Sequence, residues 1–330
     1  MSGYILISGG RARKNGFELG EGKYYDCAKL LKLELATGKV NCILEKKEGG
    51  PHYPDEHPNL QYTSACLVGD TLWLPTDTEI YKMTYPELQV SKVISCPFFH
   101  NIHSVNVFND KVYATSTGLD LVAVFDLDGE LLELINAEGK EVWHRFSKDV
   151  DYRLTHSTRP HDCHPNFVFE WKGKAWVTRC KQQDAVCLED VGQKIELTTP
   201  EKRISVHDGL VYDDKVYFTT VDGFMVIADP DSREIVEQID LLSYLKSEKL
   251  GWARGISISK EGIAYIGFSR IRRTKMQDKL AWLAKGQISK MKFIPACVLA
   301  FDLNERKILA QYDIPFAELD AIYGIEYTDI

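Results

Sequence analysis

Histidine is the residue in this chain whose placement points most directly to chemistry. Three stretches of strand-forming residues open on one: His103 in HSVNVF, His164 in HPNFVF and His207 in HDGLVY, with His161 just upstream of the second. Neutral imidazoles that converge on one point bind Zn²⁺, Fe²⁺, Mn²⁺ or Cu²⁺. The expected ligands are therefore His103, His164 and His207, with His161 as the competitor for the place of His164. Asp162, Asp208, Asp222 and Glu326 are the acidic residues in range to assist. No compact motif such as HExxH is present. The alternative is that each histidine caps its own strand and hydrogen-bonds a loop.

Arginine supplies a second kind of chemistry, since a guanidinium holds carboxylate or phosphate in a two-pronged hydrogen bond. Arg179 and Arg270 close strand-like stretches and Arg254 opens one, which places these three nearest the histidines and makes them the expected substrate-binding residues. Pairing with Asp149, Asp151, Glu170 or Asp184 is the structural alternative for several arginines. His161 and Tyr323 are the candidates for general acid or base. Gly9-Gly10 is not followed by the spacing of a dinucleotide-binding turn.

The elements that must position these residues are short strands. His103 to Ile135 reads as four strands broken by Asn109-Asp110, Gly118-Leu119-Asp120 and Asp128-Gly129, and Val206 to Ile239 repeats the pattern with the same KVY second strand. Four antiparallel strands in succession make one blade of a β-propeller. Carried along the chain, the pattern gives an all-β, six-bladed propeller occupying 1–330 as a single domain. The stretch 321–330 has the inner-strand pattern that the N-terminus lacks, so it should pair with residues 3–10 and close the ring. Short turns fall on one face of the disc. The long segments 11–28, 47–61, 136–162, 240–253 and 270–296 fall on the other, which is the face of the histidines and hence the expected working face.

Composition sets the class. The chain has 330 residues, 44% of them apolar and 27% charged, with a net charge of −8, a balance that argues against general nucleic-acid binding. No apolar run approaches the roughly 20 residues of a membrane helix, and no secretory leader is apparent at the N-terminus. The eight cysteines form no CxxC pair, which suits a reducing, cytoplasmic setting. Residues 270–296 interrupt the last full blade with a surplus of Lys and Arg and, around Leu280, Trp282 and Leu283, a short amphipathic helical character. The expected roles of this insertion are a lid, a basic contact surface for a protein partner through 270–293, or a decorated loop.

The blade pattern resembles, over the whole chain, the broad six-bladed propeller group that includes gluconolactonases, strictosidine synthase, virginiamycin B lyase and the NHL-repeat proteins. The resemblance implies a divalent cation on the channel axis, which lactonase-type members hold largely with carboxylate and Asn ligands. This chain departs from that set by offering histidines, with Asn106 and Asn166 close by, and so departs from Ca²⁺ and lactonase chemistry. WD and kelch signatures are absent. The resulting expectation is an enzyme, a hydrolase, lyase or isomerase, with a histidine-held Zn, Fe or Mn ion acting on a small anionic substrate. The rival expectation is a non-catalytic propeller that binds a protein or carbohydrate.

Overall fold

A computed structural model describes residues 2–198, 205–245, 251–270 and 295–329. Six four-stranded antiparallel sheets surround a central axis. The first comprises β1 (Tyr4–Ala12), β2 (Tyr25–Glu34), β3 (Val40–Lys46) and, on its inner side, the chain's last strand. The second blade holds β4 (Cys66–Val68), β5 (Thr71–Pro75), β6 (Ile80–Thr84) and β7 (Val90–Ile94). The third runs β8 (Ile102–Phe108), β9 (Lys111–Ser116), β10 (Leu121–Asp126), β11 (Leu131–Asn136). In the fourth are β12 (Pro165–Trp171), β13 (Lys174–Arg179), β14 (Asp184–Cys187) and β15 (Lys194–Glu196). The fifth is built from β16 (Val206–Tyr212), β17 (Lys215–Thr220), β18 (Phe224–Asp229) and β19 (Glu234–Asp240). Blade six contains β20 (Trp252–Ile258), β21 (Ile263–Ser269), β22 (Cys297–Asp302) and β23 (Lys307–Asp313). Last comes β24 (Ala321–Thr328).

Closure is as the sequence requires. β24 pairs antiparallel with β1, Ile5 opposite Tyr327 and Ile7 opposite Ile325. Ile5, Ile7, Leu31, Leu33, Ile322 and Ile325 then pack as one buried cluster against Tyr265, Val298 and Ala300 of blade six. The core thus lies between blades, and each sheet buries both faces against its neighbours. Turn chemistry sets the strand spacing. Asn109-Asp110 and Asp213-Asp214 adopt positive φ at both central residues, 50° and 56° in the first pair and 48° and 54° in the second. That is the backbone of a type I′ hairpin turn, whose twist matches the strands it joins.

One loop is shorter than expected. Residues 11–28 read as a long connection, but β1 extends to Ala12 and β2 begins at Tyr25. Charged residues hide the strand in the sequence. In the fold Arg11 pairs with Asp26 at 3.2 Å across the two strands. The basic segment read as a lid or partner surface, 270–293, lies outside the described residues except for Arg270. All eight cysteines are free. Among the described residues no helix is long and apolar enough to cross a membrane.

Candidate active site in the axial cavity

The inner strands do not run smoothly past the axis. β8 carries one extra residue against β9 between Ile102 and Val105, β12 against β13 between Pro165 and Val168, and β16 against β17 between Val206 and Gly209. β20 does so against β21 between Ala253 and Ile256, and β24 against β1 between Ile322 and Gly324. These bulges contain His103, Asn166, His207, Arg254 and Tyr323. A bulge re-aims the side chains within it, and all five residues line one cavity of about 700 Å³. His161 and His164, from the loop before β12, line it too.

A threonine in the second strand holds the bulge in three of the blades. Thr115 Oγ1 accepts from the amides of His103 and Ser104 at 3.3 and 3.0 Å, Thr178 Oγ1 from Phe167 at 3.0 Å, and Thr219 Oγ1 from Asp208 at 3.3 Å. These threonines were missed in the sequence, although a signal exists: each is the fifth residue of its strand, in KVYAT, KAWVT and KVYFT. In blade six the bulge uses Gly255 instead, at φ 78°, where an added Cβ would lie 2.8 Å from Ile325 Cγ1.

Asp120 organises the histidine loop, and sequence reasoning missed this as well. Its buried carboxylate accepts from the amides of Asp162, Cys163 and His164 at 2.8, 3.0 and 2.8 Å, and from Arg145 at 2.7 Å. Three converging backbone donors fix the path of residues 162–164, including the left-handed φ of 57° at His164.

Hydrogen bonds set the tautomers of the three central histidines. His103 Nδ1 lies 3.0 Å from the Asn101 carbonyl, so it carries the proton. His207 Nδ1 lies 3.0 Å from Asp208 Oδ1 and does likewise. For His164 the partner is His161, Nδ1 to Nδ1 at 2.6 Å. Thr158 gives its hydroxyl proton to the Gly118 carbonyl at 2.5 Å, so its oxygen can only accept from His161 Nε2, at 3.4 Å. Neutral His161 then has its lone pair on Nδ1, and His164 donates to it. Among the described residues all three central imidazoles therefore keep their Nε2 lone pairs free, and His207 Nε2 is buried without a partner.

Burial holds these rings neutral. It drives His103 well below the usual histidine range, with His207 adding to the effect, and His164 likewise, with His103 and His161 adding. His207 is also lowered by burial, against the opposing pull of Asp208. His161 is brought to about 4, again chiefly by burial. Rings sharing a tetrahedral ion at Zn–N distances of about 2.0–2.1 Å would have centroids about 5 Å apart. The His103 centroid is 5.0 Å from that of His164 and 5.8 Å from that of His207. Among the described residues no three His, Cys, Asp or Glu side chains are closed into a metal-holding group. Asn166 lines the same cavity, its amide nitrogen bonded to the Val206 carbonyl at 3.0 Å and its buried Oδ1 without a partner among the described residues.

The three arginines expected to bind substrate are in different situations. Arg254 lines the cavity between Trp252 and Tyr323, its guanidinium carbon 5.4 and 4.9 Å from the two ring centroids. Its Nε and Nη1 are buried and have no hydrogen-bond partner among the described residues. Arg179 does not line the cavity. Asp184 holds it with two hydrogen bonds of 2.8 and 2.6 Å, and it also donates to the Ala137 carbonyl. Arg270 is likewise off the cavity wall, paired with Asp320 and lying over Phe316. The residues offered as acidic help also separate. Asp208 backs His207, Asp162 pairs with Lys140 and Arg145, and Asp222 accepts from Thr220 at 2.6 Å. Glu326 lies farther along β24, its carboxyl pushed up to about 8 by burial.

Fold and cavity together define a six-bladed β-propeller with a polar axial site. No protein-family model matches the sequence, and no curated protein matches it. Among solved structures it is similar to a protein of unknown function from Bacteroides caccae, with a TM-score of 0.62 and 11% identity over 98% of each chain. It is also similar to a chain of the nidogen/laminin complex, with a TM-score of 0.56 and 11% identity over 97% of each chain. Streptogramin B lyase matches with a TM-score of 0.50 and 14% identity, over 81% of this chain and 76% of that one. At these identities the likeness is one of fold.

Proposed function

We propose that the axial cavity is the active site of an enzyme for a small carboxylate- or phosphate-bearing substrate, with Arg254 as the residue that binds the acid group. The observation that carries this reading is the Arg254 guanidinium, whose Nε and Nη1 are buried and have no hydrogen-bond partner among the described residues. Buried donors without acceptors are costly, and a ligand anion supplies the acceptors together with a countercharge. Arg179 and Arg270, already paired with Asp184 and Asp320, drop out of the substrate site in this proposal.

The proposal includes a divalent ion, Zn, Fe or Mn, held through Nε2 of His103, His164 and His207, with Asn166 Oδ1 as a further donor. Each imidazole has its other nitrogen backed by an acceptor, the arrangement that orients histidine ligands in metal sites. A bound ion there supplies Lewis-acid polarisation of a substrate oxygen or an acidified water, as hydrolysis, elimination or isomerisation requires. His161 serves as a positioning residue, since it accepts from His164. Tyr323, whose ring meets His103 at 5.9 Å and Arg254 at 4.9 Å, stands where a proton could be held or moved beside the substrate. The eight free cysteines suit the reducing compartment we propose for it.

The test uses untagged full-length protein. Elemental analysis and Zn²⁺ or Mn²⁺ titration should find about one equivalent, with binding weakened by His103→Ala or His207→Ala. Calorimetric titration with acetate and inorganic phosphate should detect binding that Arg254→Met removes while the melting temperature holds. Anion binding unchanged in Arg254→Met would refute the substrate reading. Failure to take up any divalent ion would refute the metal. Ligand binding without turnover of any ester, lactone or elimination substrate would favour the non-catalytic alternative.

A further inference from the structure

The cavity has a second pole besides Arg254, an unpartnered acceptor, and we infer from it that the ligand is a bifunctional acid carrying an amino or hydroxyl group at some distance from its acid group. This inference rests on the proposed anion site. Its basis is Gln61, which lines the cavity and is 1% exposed. Gln61 Nε2 donates to Asp77 Oδ1 at 2.6 Å. A carboxylate accepts only, so the amide cannot be turned over and Oε1 is the atom left over. That oxygen is buried and has no hydrogen-bond partner among the described residues. Asn59 donates to the other Asp77 oxygen at 2.7 Å. This end of the cavity thus presents a carbonyl acceptor, which suits a hydrogen-bond donor such as an ammonium or a hydroxyl.

The two poles belong to one site. Arg254 lies over Tyr323, and the Tyr323 ring meets the Tyr25 ring edge-on at 6.3 Å. Tyr25 in turn sits beside Gln61 across Gly10, where an added Cβ would be 2.8 Å from Tyr25 Cγ and 3.1 Å from Gln61 Cβ. The neighbouring Gly9 has an equally defined role. An added Cβ would lie 2.0 Å from the Ala321 carbonyl oxygen, on the strand whose bulge aims Tyr323. The Gly9-Gly10 pair, which fits no dinucleotide motif, is thereby explained as the clearance that sets Tyr323, Tyr25 and Gln61 along one wall.

The experiment compares three ligand series of three to six carbons in calorimetric titration of full-length protein: alkanoates, ω-hydroxyalkanoates and ω-aminoalkanoates. At one chain length an amino or hydroxy acid should bind about tenfold more tightly than its alkanoate, the range of one well-placed hydrogen bond to a charged group. Gln61→Leu should erase that difference and leave alkanoate affinity within about twofold, by the same reasoning. Arg254→Met should weaken all three series. If alkanoates bind wild-type protein as tightly as their amino and hydroxy partners at every length, the second pole is refuted while the anion site stands. If no acid of any series binds, both readings fall. The wild-type comparison decides the matter even if Gln61→Leu does not fold.

Discussion

Asp208→Asn tests the histidine tautomers on which the site's chemistry depends. The Asp208 carboxylate is completely buried and accepts three hydrogen bonds. His207 Nδ1 reaches Oδ1 at 3.0 Å, while Thr219 Oγ1 and the Gly255 amide reach Oδ2 at 2.5 and 2.6 Å. An asparagine has one acceptor oxygen to offer. Placed on the Oδ2 side it keeps two donors and turns its NH₂ toward His207. The opposite orientation sets NH₂ against the Gly255 amide. The first is therefore favoured, and it forces His207 to accept at Nδ1 and carry its proton on Nε2. Each donor also loses the charge-assisted part of its bond, about 1 kcal/mol apiece, so stability should fall by up to about 3 kcal/mol. The Nε2 lone pair is lost, and metal affinity should drop by about 10–100-fold, the range for loss of such an outer partner. Nitrogen-15 NMR of the imidazoles reads the tautomer directly, chemical denaturation the stability, and Zn²⁺ titration the affinity. A folded Asp208→Asn protein with His207 still protonated on Nδ1, or with unaltered Zn²⁺ affinity, would refute the reasoning.

Other outcomes follow from the same geometry. Arg179→Met should cost about 3–5 kcal/mol, because it strands the buried Asp184 carboxylate, yet leave acetate and phosphate binding intact; a stable variant with impaired binding would return Arg179 to the site. His100 is buried and its pKa is lowered to about 4, chiefly by burial. The unfolded chain takes up that proton near pH 6.5 and the folded one does not, so stability should fall as pH drops from about 6.5 to 4, by about 3 kcal/mol for this group. His100→Gln should flatten that slope by one proton in urea melts, and an unchanged slope would contradict the assignment. Deleting residues 321–330 removes Ile322 and Ile325 from the core at about 1.5–3 kcal/mol each and opens the edge of β1. The truncated chain should fail to fold, and a soluble product with the parent melting temperature would be incompatible with ring closure through β24.

Local pattern carried most of the fold. Period-two runs of β-formers, the Asn-Asp and Asp-Asp turns and the lone inner-strand pattern at 321–330 were enough for six blades and their closure, because hairpins are built from neighbours in the chain. Where β1 and β2 pair through Arg11 and Asp26 the pattern was obscured, since those polar residues meet only after pairing. The histidines, Arg254 and Tyr323 were legible as candidates from their place at the start of inner strands. The tertiary structure decided which of them share a cavity, through one-residue bulges that put core residues three positions apart on one face, as with Ile102 and Val105. It separated Arg254 from Arg179 and Arg270, three arginines alike in type and local setting, because the carboxylates of Asp184 and Asp320 lie within reach of only the latter two. Asp120, Gln61 and the bulge-holding threonines act on residues brought to them by strand pairing and by the packing of one blade on the next. Their roles depend on contacts across many positions of the chain, and spacing along the sequence does not record them.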